Sequence, residues 1–254
     1  MANDRDATLA ASDLPEIVRK VRERTPARLL VGRAGAAYRT ATQLELRAAH
    51  AAARDAVRSE LAVDRDFGAV FLQRWNLLET RTRAADKEQY LLRPDLGRHF
   101  DSESLEAIRS HCRSNCDLQI AIGDGLSVAA VSAQVPALLP LLHEGAKERN
   151  WAVGCTIVIH HCRVGILNEI GELLSPRVAV LLIGERPGLA TAESLSAYVA
   201  HQPRANHTDA NRHVISNIHA RGLSPQLAAS RILELAARLM NALPGGDRST
   251  KFPV

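Results

Sequence analysis

Val178-Ala-Val-Leu-Leu-Ile-Gly-Glu-Arg-Pro-Gly188 is the stretch that decides the fold. Val178 to Ile183 are aliphatic without a polar interruption, so they read as a strand buried on both faces, as in a parallel sheet covered by helices. Gly184 ends the run and passes the chain to a carboxylate, a guanidinium and a Pro-Gly turn. In such sheets ligands gather beyond the carboxyl ends of the strands. Glu185 therefore stands where an acceptor can meet a ligand. The alternative is an ordinary bend, with Glu185 solvated and Pro187-Gly188 supplying the turn.

Working outward, further strands are expected at Leu77–Thr82, Leu118–Ile122 and Cys155–Ile159. Helices are expected at Ser102–Arg113, at Leu126–Arg149 with breaks at Pro136 and Pro140, at Val164–Leu174 and at Pro225–Leu243. Strands alternating with helices imply right-handed crossovers. The expected fold is α/β: a Rossmann-like, mostly parallel sheet flanked by helices, with an N-terminal helical extension. Residues 1–25 read as a flexible or docking arm, 26–76 as a helical region and 77–254 as the sheet domain. Asp13-Leu14-Pro15-Glu16 opens a short helix in the arm. Thr40–Arg58 carries Leu44, Ala48, Ala51, Ala52 and Asp55 at helical spacing, and Asp66–Trp75 carries Phe67, Val70, Phe71 and Trp75; both read as core stripes. The stretch after Gly188 reads as less regular, with a polar loop around Asp209, Asn211, Arg212, Ser216 and Asn217.

Composition narrows the function. The 254 residues are 46% hydrophobic, enough for a sizeable core, while aromatics at 4% are too few for a base-stacking platform. The net charge is +4, but the 32 basic residues, all Arg except four Lys, are scattered among 28 acids rather than gathered on a stripe. No apolar run reaches the length of a membrane span, and the polar opening residues lead us to expect no secretory signal. Cys112, Cys116, Cys155 and Cys162 form no dense framework and are expected to stay reduced in a cytosolic chain.

Ile122-Gly-Asp-Gly-Leu-Ser127 is a second strand-to-helix junction. Its glycines and the following helix start can receive an anionic or polar ligand, or Asp124 and Ser127 can simply cap. It lacks the third glycine of a dinucleotide fingerprint and the lysine of a P-loop. His160 and His161 point to opposite faces of an extended chain, so they do not converge on one metal ion, and no G-x-S-x-G elbow occurs. A stand-alone nucleotide-cofactor α/β enzyme is the competing reading.

Taken in order, Thr25-Pro-Ala-Arg-Leu-Leu-Val-Gly-Arg-Ala-Gly35, Tyr90-Leu-Leu-Arg-Pro-Asp-Leu-Gly-Arg98, Ile122–Ser127, Ile183-Gly-Glu-Arg-Pro-Gly188 and Ile215-Ser-Asn-Ile-His219 resemble the small (light) chain of bacterial ethanolamine ammonia-lyase. The resemblance implies a Rossmann-type domain that holds adenosylcobalamin against a large TIM-barrel chain, in a hetero-oligomer that converts ethanolamine to acetaldehyde and ammonia by radical chemistry. It places cobalamin contacts on Val164, on Glu185 and on Val214, where the family often has Cys. Asp-x-His-x-x-Gly, the mark of cobalamin enzymes that replace the lower base with His, is absent, so the base-on form is expected. The resemblance also implies the bacterial cytoplasm and an ethanolamine-utilisation microcompartment, to which the helix Leu14–Arg22 would dock.

Overall fold

A computed structural model describes residues 15–24 and 31–241. Six strands, β1 (Leu78–Arg81), β2 (Leu118–Gly123), β3 (Ile157–His160), β4 (Val178–Gly184), β5 (Leu195–His201) and β6 (Arg212–Ile218), form one sheet in the order β1-β3-β2-β4-β5-β6. Every residue of β2, β3 and β4 is buried, as two-sided coverage requires. Alternate side chains build two cores. Ile120, Ile122, Val180 and Leu182 pack under α7 (Val128–Glu148) and α9 (Pro225–Asn241). Ile157, Ile159, Leu181 and Ile183 pack under α6 (Ser102–His111) and α8 (Ile166–Leu174).

The expected mostly parallel, Rossmann-like sheet is corrected to a mixed one. β1, β3, β2 and β4 pair in parallel, whereas β4–β5 and β5–β6 are antiparallel. No helix lies between Gly184 and Leu195 to carry the chain back across the sheet, so the next strand returns antiparallel. β5 and β6 fall within the segment that reads as irregular in sequence. β5 mixes apolar Leu195, Ala197 and Val199 with Ser196 and Tyr198, and β6 is an edge strand with only Ile218 buried.

α7 also departs from expectation, because Pro136 and Pro140 do not break it. Both stand on its half-buried side, where carbonyls freed by the missing N–H groups can be hydrated, while Val131, Val135, Leu138, Leu139 and Leu142 fill the buried side.

The N-terminal helices follow their sequence pattern in part: Phe67, Phe71 and Trp75 pack into the core as expected, whereas the helix over Thr40–Arg58 turns a different stripe inward. α1 (Glu16–Glu23) has Pro15 at its N-cap, and Asp13 and Leu14 of the expected cap lie outside the described residues, as do 1–12, 25–30 and 242–254. α2 (Thr40–Arg58) buries only Thr42, and Leu44 is 58% exposed. The half-buried residues are Leu46, Ala49, Ala53, Ala56 and Val57, so the inward stripe is not the one read from sequence; alanine on both sides makes either choice plausible by pattern. Asp66–Trp75 is divided at Gly68, whose φ of +76° favours glycine, giving α3 (Val63–Phe67) and α4 (Ala69–Trp75), with Val70 exposed. Cys112 and Cys155 are joined in a disulfide, contrary to the expected reduced state, whereas Cys116 and Cys162 are free and buried. Among the described residues, no helix is long and apolar enough to cross a membrane.

Candidate functional site

The loops after β2, β3 and β4 meet at one end of the sheet. Asp124, fully buried, holds them. Its carboxylate accepts from the backbone N–H of His161 at 3.0 Å and of Cys162 at 2.8 Å, and from the Lys87 ammonium at 3.3 Å. Lys87 opens α5 (Lys87–Leu92), is itself buried, and also donates to the Gly125 carbonyl at 3.1 Å. Tyr90, one turn on, donates its hydroxyl to the Cys162 carbonyl at 3.0 Å and carries the Arg163 guanidinium over its ring at 4.0 Å. Burial first, and then the Asp124 charge, push the Tyr90 hydroxyl far above its ordinary value, so it stays a neutral donor.

The glycines let these backbones touch. Gly125 has a φ of +58°, and a Cβ there would overlap the Gly184 carbonyl; a Cβ at Gly184 would overlap the Ser127 carbonyl. Ser127 is the N-cap of α7, accepting from Ala130 N at 3.3 Å. Asp124 is not a cap: its oxygens serve the neighbouring loop.

A depression of about 410 Å³ opens above this floor. Val164, Glu185 and Val214 all line it, together with Tyr198, Ser216 and the backbone of Gly125 and Gly184. The three residues expected from the resemblance are thus brought together, although they come from three separate segments. Val214 is 51% exposed.

Glu185 is not the solvated side chain of an ordinary bend. Ser194 Oγ donates to it at 2.6 Å, Ser196 Oγ at 2.5 Å and Asn217 N at 3.1 Å, so one carboxylate ties the end of β4 to β5 and β6. Burial raises its pKa, but the three donors and the nearby His219 outweigh burial and hold it below the usual carboxylate range. Sequence reading missed Ser194, Ser196, Lys87 and Tyr90. For the serines a signal existed in the period-two alternation of Ser194-Leu-Ser-Ala-Tyr-Val199.

His160 and His161 diverge, with Nε2 of His160 2.7 Å from Glu79 and Nε2 of His161 2.9 Å from Glu60. Glu60, Asp124 and His161 do bring possible ligand atoms within 4.8 Å of one another. The Lys87 ammonium against Asp124 already supplies the positive charge there.

Two outcomes follow from these contacts. Asp124→Ala leaves the Lys87 ammonium buried and unpaired, and is expected to cost about 3–5 kcal/mol in urea unfolding; a loss below about 1 kcal/mol would show that the contact is dispensable. For Glu185 the folded-state pKa is depressed, so its contribution is complete above the ordinary carboxylate range and disappears as pH falls through and below it. Glu185→Gln should therefore show a shallower loss of melting temperature than the parent as pH drops below about 4.5.

The pattern of the ethanolamine ammonia-lyase light chain family (EutC) matches residues 15–246. The ethanolamine ammonia-lyase small subunit of Listeria monocytogenes serotype 4a (strain HCC23) is 44% identical over 221 residues, 87% of this chain and 73% of that protein. The small subunit of Clostridium perfringens (strain ATCC 13124) is 42% identical over 227 residues, 89% of this chain and 75% of that protein. That of Fusobacterium nucleatum subsp. nucleatum is 41% identical over 228 residues, 90% and 75% of the two chains. The chain belongs to the ethanolamine ammonia-lyase light chain family, and its activity is that of a lyase subunit working within a two-chain enzyme.

Proposed function

We propose that this chain holds adenosylcobalamin in its base-on form against the large subunit, through Val164, Glu185 and Val214. The observation that carries the reading is the convergence of these three residues on one depression at the strand ends. Its size suits one edge of a corrin rather than the whole cofactor, so a partner chain must cover the remainder. When bound, the cofactor supplies the radical chemistry, and the protein contributes orientation and exclusion of water.

The residues present fit such a ligand. Val164 and Val214 offer apolar contact, and the floor made by Gly125 and Gly184 has no side chains to obstruct it. Val214 brings no thiol chemistry to a position that is often Cys in the family. Glu185 accepts three internal donors, while a carboxylate has about four acceptor sites. The remaining one can take an N–H from a corrin carboxamide. Held ionised below the usual range, Glu185 is a poor base, so its role is to bind and position.

The base-on reading is supported by His219. Asn217-Ile-His219-Ala-Arg-Gly222 departs from Asp-x-His-x-x-Gly only at its first residue. His219 is nevertheless 3% exposed, with Nε2 2.8 Å from Asn217 Oδ1 and Nδ1 accepting Arg221 N at 3.2 Å. Both ring nitrogens are engaged, and none is left for cobalt.

Glu185→Ala should weaken cobalamin binding to the two-chain complex by about 1–3 kcal/mol while assembly is preserved. Normal affinity would remove Glu185 from the site, and turnover by the lone chain would favour a stand-alone enzyme. Labelling the protein with ¹⁵N-histidine should leave the superhyperfine splitting of the cobalt(II) EPR spectrum unchanged. A changed splitting would mean that a protein imidazole binds cobalt.

A further inference from the structure

His161 makes ring contacts that the floor of the site does not require. It follows β3 with a φ of +57°, and its backbone is fixed by Asp124 at the N–H and by Thr82 Oγ1, which donates to its carbonyl at 3.0 Å. The side chain is 3% exposed. Nδ1 lies 3.0 Å from the Ala84 carbonyl, and Nε2 lies 2.9 Å and 3.3 Å from the two carboxylate oxygens of Glu60. A carbonyl and an ionised carboxylate only accept, so both nitrogens are satisfied only when both carry protons. The neighbouring His160 differs. Its one ring contact among the described residues is Nε2 with Glu79 at 2.7 Å, which a neutral ring can make.

Glu60 belongs to another layer of the molecule, the link between α2 and α3, and its side chain is 51% exposed. Arg65 donates to its backbone carbonyl at 2.9 Å, and Leu61 beside it is buried, so the link itself is anchored. α2, which precedes it, buries Thr42 alone. An element with so little buried surface has low local stability, and a tie at its end weighs heavily on its position. The other charges around the His161 ring are already matched. Asp124 is paired with Lys87, and Arg163 lies over the Tyr90 ring and donates to the Tyr90 carbonyl at 3.0 Å. Burial holds the Tyr90 hydroxyl and the Cys162 thiol far above their ordinary values, so both stay neutral. Among the described residues, Glu60 is therefore the unmatched charge that faces the ring.

We propose that Glu60 and His161 form a proton-dependent latch, which fastens α2 to the strand-end loops while the His161 ring is an imidazolium and releases it when one ring proton leaves. The Ala84 carbonyl keeps the remaining proton on Nδ1. Nε2 then turns a lone pair toward the Glu60 carboxylate, and attraction becomes repulsion. Glu60 is half exposed, so its side chain swings into water. The tie is complete on the acid side and is lost as pH rises, the sign that belongs to a group held in its cationic form. Protonation of Glu60 at still lower pH leaves a carbonyl oxygen that accepts from Nε2. The bonds of His161 to Asp124 and Thr82 are made by its backbone, so the floor of the site stays in place when the latch opens.

The full chain labelled with ¹⁵N-histidine and its Glu60→Gln variant can be compared from about pH 5 to about pH 9, a span that brackets ordinary histidine titration. NMR counts the ring protons of His161, hydrogen exchange gives the protection of residues 40–59 relative to an unstructured chain, and melting temperature checks the fold. In the parent, the His161 ring should carry two protons at the acid end, and protection over residues 40–59 should fall about tenfold as one is lost. In Glu60→Gln the carboxamide can donate to Nε2 or accept from it, so protection should stay level across the range. A ring with a purely structural role would give parent and variant the same pH profile. That result, level protection in the parent, or a His161 ring with a single proton at the acid end would overturn the proposal.

Discussion

The ion pair between Lys87 and Asp124 is the constraint on which the strand-end surface depends. Two charges buried this deeply are stable only when each is matched and its remaining hydrogen-bonding capacity is used. Asp124 meets that condition by reaching across to the His161 and Cys162 N–H groups, and Lys87 by reaching the Gly125 carbonyl. Satisfying the charges therefore sets the positions of three segments at once: the start of α5, the turn after β2 and the turn after β3. Val164 is two residues beyond Cys162, so its place at the depression follows from a contact that never touches the surface.

Glu185 is the matching clamp on the other side. β4 has a parallel neighbour on one edge and an antiparallel one on the other, and its carboxyl end is where the two parts of the sheet diverge. Ser194, Ser196 and Asn217 converge on Glu185 there, which holds Val214 and Ser216 of β6 close to Gly184. A surface whose polar groups are so fully engaged is rigid. Rigidity suits a platform that orients a ligand, and it suits less well a site that must exchange protons during turnover. That division agrees with a subunit whose chemistry is completed by a partner chain.

Much of the parallel sheet was legible because its residues are unambiguous: the aliphatic run Val178–Ile183 and its counterpart Leu118–Ile122 suit little else. The antiparallel return was not, since Ser196 and Tyr198 interrupt β5 and the edge position of β6 tolerates Arg212, His213, Ser216 and Asn217, which make it look like polar loop. The prolines of α7 misled in the same way, because a local penalty was overridden by a helix with one side deeply packed. In α2 alanine occupies both candidate stripes, so periodicity had two solutions. At the site, the family resemblance, and no local motif, pointed to Val164 and Val214 alongside Glu185. Their support by Lys87 and Asp124 was invisible, since a contact across 37 positions leaves no local pattern.

A cryo-electron microscopy structure of the two-chain complex with cobalamin tests the central claim most directly. The account predicts corrin density in van der Waals contact with Val164 and Val214 and within hydrogen-bond distance of Glu185, over the depression between the strand ends. Corrin enclosed by the large chain alone, with that depression open to solvent, would contradict it.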